Sequence, residues 1–140
     1  MWLLSWLPGQ GTDLHDHGGS AGAFHVFSGT LTEDTVSLAA GRAPRITSRE
    51  LGEGAGRRFG THHIHRMTNR SSRPAISVHV YGPALTTMTR YRVGAEALEV
   101  LTVERAGVRP EDVGQVIGGC VTQAGEQAGN VTRAAWLHAG

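Results

Sequence analysis

The sequence is short of cysteine, of net charge and of long apolar runs, and each shortage removes a class of protein. Cys120 is the only cysteine among 140 residues, so neither an internal disulfide nor a thiolate-rich zinc site can form, and a reducing cytoplasm is the expected setting. The formal net charge is +1, with arginines and acidic residues scattered instead of blocked. That leaves no electrostatic footprint for nucleic acid or an anionic membrane surface, and favours small neutral or zwitterionic partners. The apolar opening MWLLSWLP has no basic stretch before it, is too short to span a bilayer, and is stopped by Pro8 and Gly9. It is expected to be a buried strand and not a signal. No long run of helical period occurs before the C-terminal part of the chain.

What is present suits one domain, because 140 residues at 39% hydrophobic content can build a single core but not two. Twenty glycines and the turn signals PGQG, HGGS, GEGAG and YGP cut the chain into short stretches rich in β-branched and aromatic residues. This predicts an antiparallel all-β fold with strands over 2–7, 14–17, 23–28, 30–38, 45–51, 57–61, 63–68, 75–81, 88–93 and 98–104. Trp2, Trp6, Phe24 and Phe27 are expected in its core. After Gly107 the composition turns to Gly, Ala, Gln and Val with few large apolar side chains. The chain therefore divides into a domain over 1–106 and a loosely attached or disordered extension over 107–140. A monomer or weak oligomer is expected.

The histidines carry the chemistry. His15 and His17 are separated by one residue, and strand alternation would project both imidazoles from one face of a sheet. Taken alone, such a pair is equally at home as surface or core polarity. Further along, His62, His63 and His65 compete for the place of a third ligand, with His63 on the face of His65 and His62 pointing the other way. His25 reads as a structural histidine. Arg66, Arg70 and Arg73 read as solvated loop arginines.

Spacing sharpens the choice. From Gly9 the chain runs five residues to HDH, four more to Gly22 and six more to Gly29, which resembles the first cupin motif. Gly54, Gly60, His62, His65 and Asn69 resemble the second, with Gly60 where that motif prefers Pro and His62 where it prefers Gly. Its register selects His65. The stretches SWLPGQGTDLHDHGGSAGAFHVFSGTLTE and HIHRMTNRSSRPAISVHVYGPALTTMTRY resemble bacterial members of the cysteine dioxygenase type I family over most of residues 2 to 91, and the run SVHVYGP is the most restrictive part of the match.

The resemblance implies a cupin β-barrel in which His15, His17 and His65 hold Fe(II), and a reaction that oxidises a small thiol with O2. The foremost substrate is L-cysteine, giving cysteine sulfinate, with 3-mercaptopropionate as the alternative and a non-catalytic metal-binding cupin as the competing class. It also implies that Ser77, His79 and Tyr81 form a relay beside the metal, and alternation places all three on one strand face. Many cupins add a Glu ligand where this sequence has Gly22, so a carboxylate-dependent isomerase or hydrolase is disfavoured. Animal members carry at that position a cysteine cross-linked to the tyrosine matching Tyr81; no such link can form here. Imidazole also suits zinc, copper and nickel, so the ligands alone do not select iron. Family members usually have several dozen residues before the strand that opens at Trp2, including an arginine that clamps the substrate carboxylate, or a glutamine in relatives acting on 3-mercaptopropionate. The expectation is either a start placed too far downstream or a shortened relative with a pocket open on one side.

Overall fold

The computed structural model describes residues 1–105, which form ten strands and no helix. In chain order these are β1 (Trp2–Trp6), β2 (Leu14–His15), β3 (Ala21–Ser28), β4 (Thr30–Ser37), β5 (Arg45–Gly52), β6 (Gly56–Phe59), β7 (His65–Thr68), β8 (Ala75–Gly82), β9 (Thr87–Val93) and β10 (Leu98–Arg105). All ten expected strands are present, because glycine-punctuated segments of period 2 specify short antiparallel strands. The proposed extension over 107–140 lies outside the described residues. No helix among the described residues is long and apolar enough to cross a membrane.

The strands form a four-stranded sheet in the order β1-β8-β3-β6 and a six-stranded sheet in the order β10-β9-β2-β7-β4-β5, every pairing antiparallel. This is the cupin architecture of two sheets around a shared interior. Trp6, Phe24, Val26, Phe59 and Ala75 from the first sheet pack against Leu31, Leu51 and Met67 from the second. These side chains share the parity of their strands, so each sheet turns one face inward, while on β4 the outer-face residues Thr32 and Asp34 are buried as well.

Two core expectations are corrected. β1 is not a buried strand: it pairs only with β8 at the edge of its sheet, so Trp6 is buried while Leu3 is 60% exposed. Phe27 is 66% exposed, because Phe24 and Val26 occupy the inward parity of β3 and leave residue 27 on the outer face. A third difference touches the site. β2 ends at His15, so His17 lies beyond the strand and not within it. The chain leaves His17 through Gly18 and Gly19, both at positive φ. At Gly18 a Cβ would stand 2.5 Å from the Thr87 carbonyl oxygen, so only glycine fits the turn.

Candidate metal centre

The site is assembled by register between β2 and β7. His15 closes β2 and is the direct cross-strand partner of His65, which opens β7. His17 is held on the same side by Asp16. The Asp16 carboxylate accepts hydrogen bonds from Gly18 N at 2.9 Å, Thr89 N at 3.2 Å and the Tyr91 hydroxyl at 2.6 Å, which pins the turn to β9. The three rings converge, with centroids 4.9 Å apart for His15 and His17, 4.9 Å for His15 and His65, and 5.1 Å for His17 and His65. All three are buried.

Their nitrogens are disposed as a cation would require. His15 Nδ1 lies 2.9 Å from the Asp13 carbonyl oxygen, and His65 Nδ1 lies 2.9 Å from Glu33 Oε1. Each pairing uses up Nδ1 and leaves Nε2 for another partner. His17 goes further: both ring nitrogens are buried and neither has a hydrogen-bond partner. A buried imidazole without partners is costly, and a metal ion at the meeting point of the three rings would offset part of that cost by taking one of the two nitrogens. One donor atom from each residue lies within 4.8 Å of the others, so the three could share one ion. Burial, reinforced by their mutual repulsion, pushes His15 down to about 4 and His17 down to about 3, and burial lowers His65 as well. All three are therefore neutral at pH 7, with lone pairs free for a cation.

A second triplet, Glu33, His63 and His65, also has donor atoms within 4.8 Å of one another. Its members satisfy each other: His63 Nε2 and His65 Nδ1 each lie 2.9 Å from Glu33 Oε1, and Arg57 NH1 lies 2.8 Å from Glu33 Oε2. A cation placed there would face the Arg57 guanidinium, so the orphaned nitrogens single out the first triplet. His63, the alternative third ligand, lies near His65 as expected but is engaged with Glu33 and stacked on Phe59. His62 and His25 are exposed, in line with their expected places outside the site.

On β8 the side chains of Ser77, His79 and Tyr81 share the inward face. Ser77 Oγ lies 2.9 Å from His79 Nε2 and accepts a hydrogen bond from Trp6 Nε1 at 2.9 Å. Trp6, expected only as core, thus anchors this chain of contacts. His79 stacks on Phe24 at 5.4 Å and is pushed down to about 4, first by burial. Tyr81 adjoins the chain by ring packing, 6.5 Å from His79 and 5.0 Å from His17 between centroids. Burial raises its phenol to about 12.

Gly22 stands directly across from Tyr81 in the β3–β8 pairing. A Cβ there would lie 2.6 Å from the Phe59 ring and 2.7 Å from the Val80 carbonyl oxygen. Neither a carboxylate nor a sulfur can enter at this position without displacing Phe59 and backbone, so residue 22 offers no fourth donor.

Arg66 and Arg70 stay solvent-accessible as expected, but Arg66 Nε and Arg70 NH2 also donate to Asp34 Oδ2 at 2.7 and 2.6 Å, so the buried Asp34 carboxylate holds both. Arg73 is exposed. Glu33 and Arg57 were not anticipated. The one signal for Glu33 is its parity with Leu31 on β4, which turns it to the interior.

Three neutral, buried histidines converge inside a cupin barrel, a group that could hold a metal ion. A family model for cysteine dioxygenase type I matches residues 1–93, and the chain belongs to that family. Among solved structures it is similar to Drosophila melanogaster CENP-C bound to CAL1, at 14% identity and a TM-score of 0.50, covering 57% of this chain and 59% of that one. It is also similar to an oxalate oxidase in complex with the substrate analogue glycolate, at 22% identity and a TM-score of 0.49, covering 55% of this chain and 38% of that one. The chain thus spans less than two thirds of the length of these relatives. At such identities the likeness concerns the fold alone.

Proposed function

We propose that this chain is an iron-dependent thiol dioxygenase that oxidises a small thiol, foremost L-cysteine to cysteine sulfinate, with His15, His17 and His65 holding Fe(II). The observation that carries the proposal is the pair of partnerless His17 nitrogens beside two more neutral imidazoles, with Gly22 where a carboxylate ligand would stand. His15, His17 and His65 would hold the ion through neutral donors, and ferrous iron so held would supply the redox chemistry for joining a thiolate and O2. The reaction balances without a further reductant: sulfur gives up four electrons, O2 takes four, and both oxygen atoms end on sulfur.

The protein's own groups do the rest. Tyr81, kept protonated by its raised pKa, offers a hydroxyl donor beside His17 to the substrate or the reacting oxygen. Ser77 fixes the His79 ring, anchored in turn by Trp6. Phe24 and Phe59 wall the site with apolar surface and exclude water. A reducing cytoplasm, where small thiols stay free, is the matching compartment.

The decisive experiment measures O2 consumption by the iron-loaded protein on addition of cysteine or, in a parallel arm, 3-mercaptopropionate. Steady thiol-dependent uptake with sulfinate formation is expected, and the preferred thiol names the substrate. An iron-loaded protein that consumes no O2 with either thiol is a binding module instead. His17→Ala is expected to lose both iron and O2 uptake; a full equivalent of iron in that variant contradicts the ligand assignment.

A further inference from the structure

We infer that Glu33 is the positioning residue of this metal centre, fixing the tautomer and ring orientation of His65 while His63 and Arg57 hold its carboxylate in place; the inference rests on the metal-binding reading above. Glu33 is 0% exposed. In the β4–β7 pairing it lies opposite Met67, while Thr35 lies opposite His65, so Glu33 is the diagonal neighbour of His65 on the inward face. An ionised carboxylate only accepts hydrogen bonds. The 2.9 Å contact with Glu33 Oε1 therefore puts the proton of His65 on Nδ1 and the lone pair on Nε2, which leaves Nε2 as the nitrogen available to an ion shared with His15 and His17. The same oxygen takes the Nε2–H of His63, which withdraws that nitrogen from competing as a ligand.

A buried ion pair kept for stability would need only Arg57, and such pairs are weak contributors once desolvation is counted. Arg57 meets Oε2, whereas both imidazoles share Oε1. That division assigns one oxygen to holding the carboxylate and the other to orienting rings. Carboxylates placed behind a ligating histidine raise its basicity and lock its direction. The register, the full burial and the shared oxygen make the same assignment here.

The test titrates Co(II) into the full-length protein against a competing chelator, reading both affinity and the visible absorption band of the bound ion. Glu33→Ala is expected to weaken Co(II) binding by roughly 10- to 100-fold and to shift the band, the range typical for loss of such a partner. Glu33→Gln preserves an acceptor for His65 but turns an amide towards Arg57, so a smaller loss with a band closer to wild type is expected, and it carries the test if the alanine variant does not fold. His63→Ala is expected to change affinity less than Glu33→Gln. Wild-type affinity and an unchanged band in the folded Glu33 variants overturn the inference while leaving metal binding intact. Failure of the wild-type protein to take up Co(II), by contrast, sinks the metal-binding reading itself.

Discussion

Tyr81 packs against the ring of His17, a proposed ligand, and burial pushes its phenol further above neutral pH, so that the hydroxyl is a proton donor there. Its contribution belongs to the reaction, not to metal retention. Tyr81→Phe is therefore expected to retain the wild-type iron content and to slow thiol-dependent O2 uptake by roughly 10²-fold, the scale for losing one positioned donor. Iron content by elemental analysis beside the turnover rate checks it; loss of iron would place Tyr81 among the groups that build the site. At this scale the histidines were legible because alternation and motif spacing both act on them. Glu33 was not, since a lone Glu in a strand ordinarily faces water, and only the partners brought by β6 and β7 make its burial tolerable. Phe27 failed in the opposite sense: an aromatic suggests core, but parity with His25 sends it outward.

β4 shows how one strand serves both faces of a sheet. Glu33 turns inward to His65, and the next residue, Asp34, turns outward into a cage formed by Ser48, Arg66 and Arg70. Burial would raise the Asp34 pKa, but the hydrogen bond from Ser48 and those from the arginines outweigh it and hold the carboxyl below its ordinary 3.8. A carboxylate depressed on folding contributes stability that is fully present above its unfolded pKa and is lost as pH falls through the lower folded value. Asp34→Asn is thus expected to destabilise the protein by roughly 2 kcal/mol at pH 7, the scale of hydrogen bonds to a charged group. The gap between variant and wild type should stay constant from pH 8 down to about 5 and narrow only below the ordinary carboxylate range. Thermal unfolding across that pH series checks it, and a gap that narrows already near pH 6 refutes the assignment. Strand existence was legible throughout, because glycine turns and period 2 leave little choice. Strand ends were less so: β2 stops at His15 because the turn pinned by Asp16 and Gly18 takes over, a tertiary effect that alternation cannot register.

Among the described residues, the buried core cluster lies between Trp6 and Ala75, and the proposed ligands and relay lie between His15 and Tyr81. β9 adds Tyr91, which ties the His-X-His turn to the six-stranded sheet, and β10 follows as the largely exposed edge of that sheet. We propose that residues 1–106, the domain expected from composition, suffice for the described interior and the candidate metal site. A chain ending at residue 106 is accordingly expected to fold, to bind Co(II) with the affinity of the full-length protein, and to unfold within a few degrees of it, since a change under about 1 kcal/mol moves the midpoint of a domain this size by only 4–8 °C. Chelator competition and thermal unfolding of the two chains side by side decide the matter. A truncated chain that loses metal binding would assign residues 107–140 a part in the site and move the domain boundary with it.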